Sequence, residues 1–133
     1  MLTPLCVKVR PTVTFYGMLV VVIERNDFVG ELRAAVPEAR GSVTEHFADN
    51  EDELLLHPLM SDLLRLTIVT FADGRLDTTD QLLAFVDRCL REGDEDVVNA
   101  VAVSFVEDFG AYAGESDELL DRWPPRLRAE LGR

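Results

Sequence analysis

Residues 52–71 read DELLLHPLMSDLLRLTIVTF, and this stretch decides the fold. Leu56, Leu59, Met60, Leu63, Thr67 and Thr70 or Phe71 recur at steps of three and four, the spacing of one helix face. Leu55, Leu66 and Val69 add apolar surface on the flanks, which predicts a helix covered on more than one side. Pro58 suits the first helical position and makes His57 the expected N-cap. Asp73 and Gly74 form the turn that stops the helix.

The segments downstream follow the same grammar. Thr78 and Gln81 have capping-box spacing and open a helix with Leu82, Leu83, Val86, Cys89 and Leu90 inward; Gly93 closes it. Asp94 then caps a helix carrying Val97, Val98, Val101, Ala102, Phe105, Val106 and Phe109. Its β-branched content makes a strand the competing reading, but its length and charged ends favour a helix. Residues 110–114 are a breaker segment. Ser116 caps a short helix of Leu119, Leu120 and Trp123, the last an expected core anchor, and Pro124 with Pro125 starts a final helix with Leu127 and Leu131.

Upstream, Asn26 or Asp27 caps a helix through Val36 with Phe28, Val29 and Leu32 on its apolar side, and Pro37 bounds it. Ser42 and Glu45 form a second capping-box candidate for a short helix with Val43 and Phe47. The expected fold is therefore all-α, a compact bundle of about six or seven helices whose short loops favour stacked antiparallel pairs.

Residues 1–25 do not conform. Val7, Val9, Val13 and Phe15 alternate with polar residues around Pro11, a strand-like pattern, and MLVVVI follows at residues 18–23. The apolar run from Val13 to Ile23 is eleven residues, too short to span a bilayer, and no small-x-small cleavage site follows it. This extension is expected to be disordered or to precede a true start at Met18 or a later valine, with an added strand or hairpin as the first alternative and a membrane or export role as the second. Residues 26–133 form the expected single domain.

The chain of 133 residues is 47% hydrophobic and 29% charged, proportions that support one folded core. Its net charge is −12. Lys8, Arg10 and Arg25 against Glu24 leave the first 25 residues positive, so more than the whole negative charge falls on the remainder. Such a surface repels phosphate backbones, so nucleic acid is not an expected partner, nor is a membrane; a basic protein is. Two cysteines make no disulfide framework, which suggests the cytoplasm. Oligomeric state is left open.

Catalytic and ligand motifs are sparse. His57 with Glu53 has i, i+4 spacing, and His46, Glu45 and Asp49 are the remaining metal-ligand candidates, but three or four ligands are needed and the capping role of His57 explains it better. Residues 49–60 fail as a calcium loop, because Leu54 and Met60 stand at the sixth and twelfth positions. Asp62 lies beside the apolar face with Arg65 near it, the arrangement of an ion pair or inter-helix hydrogen bond before that of a general acid. Ser61 and Ser104 are expected mid-helix with no plausible base beside them. There is no phosphate loop, GxSxG or HExxH, and no cofactor is expected.

FADNEDELLLHPLMSDLLRL and EDVVNAVAVSFVEDF resemble a family of uncharacterised bacterial domains with an L-M-x-D-L helix, here Leu59, Met60, Asp62 and Leu63. A later A-V-S-F-x-E helix corresponds to Ala102, Val103, Ser104, Phe105 and Glu107. The resemblance covers residues 26–131 and implies a compact helical domain of unknown activity, with no reaction attached. By analogy only, small acidic domains of this style are similar to immunity proteins encoded beside bacterial toxins.

The leading expectation is a non-enzymatic interaction module, in its sharpest form an immunity-type inhibitor of a basic toxin. Asp49, Glu51, Asp52, Glu53, His57, Asp62, Glu95, Asp96, Glu107 and Asp108 are its candidate contact residues. The alternative is a small hydrolase or metal-dependent enzyme using His57 and Asp62. A helical-repeat scaffold is a third reading, but only about two helix pairs fit where repeat arrays need three or more.

Overall fold

The computed structural model describes residues 10–15, 18–110 and 115–132. Strands β1 (Arg10–Phe15) and β2 (Met18–Val22) pair antiparallel, with a register irregularity between Pro11 and Val13. Seven α-helices follow among the described residues: α1 (Phe28–Ala35), α2 (Arg40–Asp49), α3 (Leu56–Ala72), α4 (Leu76–Glu92), α5 (Glu95–Val101), α6 (Asp117–Asp121) and α7 (Pro125–Leu131). The part of the strand-like alternation that carries Val13 and Phe15 thus lies on β1, paired with β2; Val7 and Val9 lie outside the described residues. The expectations of disorder and of a later start for residues 1–9, 16 and 17 lie outside the described residues, as does the breaker at residues 111–114.

The fold is the expected helical bundle, and α3 is its centre. Leu56, Leu59, Met60, Leu63, Leu64, Thr67, Ile68 and Thr70 are buried on it, and it packs against α2, α4 and α5. A face that wide matches the all-round apolar character of its sequence; each large aliphatic side chain buried there contributes about 1.5–3 kcal/mol. The α3–α4 turn uses Gly74 at φ +77°, a conformation that glycine adopts without steric penalty. It brings Thr70 Oγ1 to 2.9 Å from Thr79 Oγ1, both residues buried, so a polar contact fixes the register of the antiparallel pair.

The helix reading of the valine-rich segment holds, with one change. After Val101 the backbone widens into a π-helix over Ala102–Glu107. Nine steps of about 100° would put Val106 opposite Val97 in a regular α-helix. The wider π turn advances each residue by less. It accounts for both Val97 and Val106 facing the core, and for Phe105 and Phe109 flanking Trp123 at ring separations of 5.6 and 4.9 Å. Trp123 is the core anchor its position predicted.

Several predicted caps are displaced. α3 begins at Leu56 with Leu55 as N-cap, so His57 lies inside the first turn and is free to reach across to α5. Neither capping box forms. A 3₁₀ turn at Pro37–Ala39 runs directly into α2, which starts at Arg40 ahead of Ser42, and α4 starts at Leu76 ahead of Thr78. Asp94 and Ser116 do cap, accepting from the backbone N–H of Val97 at 2.9 Å and Leu119 at 3.2 Å.

The helical core also reaches back past Asn26. Ile23 is fully buried, its N–H donates to Glu92 O at 2.7 Å, and its carbonyl accepts from Asp94 N–H at 2.9 Å. No helix among the described residues is long and apolar enough to cross a membrane.

Candidate functional site

The acidic stretch at residues 49–53 is a loop held from beneath. Its backbone turns through Glu51 at φ +56° and Asp52 at φ +66°, left-handed values that are uncommon for residues with a side chain. Three buried or half-buried side chains fix it. His46, 2% exposed, accepts the Leu55 N–H on Nε2 at 3.0 Å. Asn50 Nδ2 donates to His46 O at 2.7 Å, and Arg25 Nη2 donates to Leu54 O at 2.6 Å. A backbone N–H can only donate, so Nε2 of His46 carries no proton. His46 is therefore a loop anchor, a role that its sequence context did not reveal.

Arg25 joins this loop to the start of α5. Its own N–H donates to Asp94 Oδ2 at 2.8 Å while its guanidinium holds Leu54. Glu95 and Asp96 follow on the exposed first turn of α5. Asp49, Glu51, Asp52, Glu53, Glu95 and Asp96 therefore belong to two segments stapled together by one arginine. Glu107 and Asp108 lie at the far end of the same helix and its π extension, a separate location.

The pairing of charges is uneven. Arg65 pairs with Asp62, Arg75 with Glu38 and Asp73, Arg88 with Glu31 and Glu92, and Arg91 with Asp87. Arg122 pairs with Asp80, and Arg128 with Asp121. Among the described residues, Asp49, Glu51, Asp52, Glu53, Glu95, Asp96 and Glu107 form no ion pair. The hydrogen-bonded Asp80 carboxylate pushes Arg122 above the ordinary guanidinium value. For Arg88 burial is the largest single effect and lowers the value, but Glu31 and Glu92 together outweigh it and raise it.

Between α3 and α5 runs a polar seam. His57 Nδ1 lies 2.8 Å from Ser104 Oγ, and Asn99 Nδ2 lies 3.4 Å from His57 Nε2. Ser61 Oγ is 3.4 Å from both Ser104 O and Asp108 Oδ2. His57 is exposed and Ser104 is 6% exposed. The structure thus supplies Ser104 with the imidazole that the sequence did not place beside it, 47 residues away. The two ring nitrogens of His57 thus face Ser104 Oγ and the Asn99 amide. An amide that donates to Nε2 leaves the ring proton on Nδ1 facing Ser104 Oγ, and one that accepts from Nε2 leaves Nδ1 able to accept.

His57 and Asp62 do not share a site. Five residues apart on α3, they point about 140° away from each other. Asp62 pairs with Arg65 three residues on, an ion pair within one helix rather than between two. Both line a cavity of about 250 Å³ between α2 and α3, with Ser42, Glu45, Leu66 and Val69. Among the described residues, no group of three or more His, Cys, Asp or Glu side chains is placed to hold a metal ion.

These features define a small helical domain with a stapled, uncompensated acidic surface. The chain belongs to the family described as a domain of unknown function (DUF7674), whose model matches residues 29–133. Neither the curated proteins nor the solved structures yield a match.

Proposed function

We propose that this protein is a non-enzymatic interaction module that engages a basic protein partner, and that it acts in the cytoplasm. In its sharpest form it is an immunity-type inhibitor of a basic bacterial toxin. The observation that carries the reading is the division of charge. Arginines pair with Glu31, Asp62, Asp80, Asp87, Glu92 and Asp121. Asp77, Asp117 and Glu118 also form no ion pair among the described residues, but only residues 49–53 and the first turn of α5 gather several such acids on two segments joined by Arg25. An uncompensated acidic surface steers a basic partner and speeds encounter, with an effect that salt screens. The test is affinity capture from native lysate at low and high salt, read by mass spectrometry. One basic protein released by salt is the expected result. No captured protein at either salt, or capture indifferent to salt, would remove the electrostatic reading.

A second reading rests on the 2.8 Å contact between His57 Nδ1 and Ser104 Oγ, the distance of a nucleophile and its base. It requires the imidazole tautomer with the proton on Nε2, and an Asn99 amide whose Oδ1 accepts it. Asp62 has no part in it. Covalent labelling of Ser104 by a fluorophosphonate, lost in His57→Ala, would establish it; an unlabelled serine removes it.

A further inference from the structure

The cavity between α2 and α3 has two chemically different halves. Ser42, Glu45, Asp62 and Arg65 supply a hydroxyl, two carboxylates and a guanidinium, and Leu66 and Val69 supply an apolar wall. Val69 is 49% exposed, a large apolar side chain open to solvent. Glu45 forms no ion pair among the described residues. Asp62 already holds a guanidinium, that of Arg65, whose side chain is 50% exposed. An exposed pair of this kind is held weakly and exchanges readily.

Lysine and arginine side chains carry an apolar stem and a charged head, and they lay the first along apolar surface while the second meets carboxylates. Arginine adds a planar fork that binds carboxylates through two hydrogen bonds, and it is enriched among the residues that dominate interface energies. We infer that this cavity is the anchor pocket for an arginine side chain of the basic partner. Its stem lies along Leu66 and Val69, and its guanidinium bridges Glu45 and Asp62, taking the place that Arg65 holds in the free protein. Ser42, Glu45 and Asp49 recur at helical spacing on α2, so the pocket opens onto the same side of that helix as the start of the acidic loop. The inference rests on the proposed basic partner and names where one of its side chains docks.

The test titrates the full chain with Nα-acetyl-arginine methylamide and, separately, with its neutral citrulline counterpart, following backbone amides by NMR. Saturable shifts at Glu45, Leu66 and Val69 with the arginine compound, absent with citrulline, are expected. Glu45→Gln, on the exposed side of α2, should weaken binding by roughly tenfold or more. Equal shifts with both compounds, or none, overturn the pocket. A parallel titration with an arginine-rich peptide separates this failure from that of the wider reading. Shifts at residues 49–53 and 95–96 with a silent cavity would overturn the pocket alone; no shifts anywhere would overturn both.

Discussion

Gly93 has an ordinary φ of −72°, so its identity is a matter of space rather than of backbone freedom. A Cβ there would stand 2.5 Å from Cys89 O and 2.6 Å from Val97 Cγ1, at the corner where Ile23 is clamped between Glu92 and Asp94. Neither neighbour is the loose end of a flexible side chain. Gly93→Ala should lower stability by about 1–3 kcal/mol, the usual penalty for overpacking, as a shift in the urea midpoint with unchanged slope. Cys89, fully buried on the adjacent turn, gives a pH signature. Burial pushes its thiol far above the ordinary value, with the coulombic effects of Arg88, Glu92 and Glu31 secondary. The folded state therefore keeps the proton when the unfolded chain releases it. The contribution is fully present below about pH 8.5 and falls by about 1.4 kcal/mol per pH unit above that. Urea unfolding of the parent at pH 8 to 10 should show this loss, and Cys89→Ala should show a shallower one; parallel pH dependences would contradict it. The buried thiol was legible from the spacing of Leu82, Val86 and Cys89. The crowding at Gly93 was not, because it depends on how closely α5 folds back onto the last turn of α4.

Helix interiors were more legible than helix starts. The three-and-four spacing of α3, α4 and α5 marks the buried faces directly, whereas a capping box is only a local option that tertiary context can bypass. Pro37 and the turn after it let α2 begin before Ser42, and the Arg75 backbone lets α4 begin before Thr78. Asp94 caps because the chain is extended there and because Arg25 uses its second oxygen. Asp94→Ala should therefore lose about 2 kcal/mol, combining a lost cap with an orphaned N–H at Arg25. Ser42→Ala should change stability by less than about 0.5 kcal/mol, and Thr78→Ala by less than Asp94→Ala, since neither hydroxyl caps a helix. Thr78 loses only an exposed hydrogen bond, which its Oγ1 donates to Glu38 Oε1 at 2.8 Å. Thermal unfolding of the three variants decides between this ordering and the one that sequence spacing alone suggests. The π widening of α5 and the meeting of His57 with Ser104 had no local signal. The first arises from fitting two buried valines to one core, and the second from contact between elements far apart in the chain.

Across the whole molecule, the net charge of −12 was visible from the start, but its distribution depends on which acids find arginines. Residues 49–53 concentrate Asp49, Glu51, Asp52 and Glu53 on a loop with two left-handed residues, linked through Arg25 to Asp94, the residue that leads into Glu95 and Asp96. Carboxylates so close repel one another, and that repulsion lowers the stability of the folded state. A domain selected for stability alone would lose these charges easily, because surface substitutions that stabilise are common. An acidic loop that costs stability is what a surface serving a basic partner would look like. The replacement of Asp49, Asp52, Glu51 and Glu53 by their amides should then leave the fold as stable as the parent or more so, with a higher Tm in about 0.02 M salt, where the Debye length exceeds the spacing of these groups. In about 0.5 M salt the parent should gain stability through screening, and the gap between the two proteins should close. If the amide variant is instead less stable at both salts, the acids serve the loop itself, and the anchoring by His46, Asn50 and Arg25 is not sufficient to hold it. If it is at least as stable but no longer captures the basic partner, the same four carboxylates are maintained against folding stability for binding.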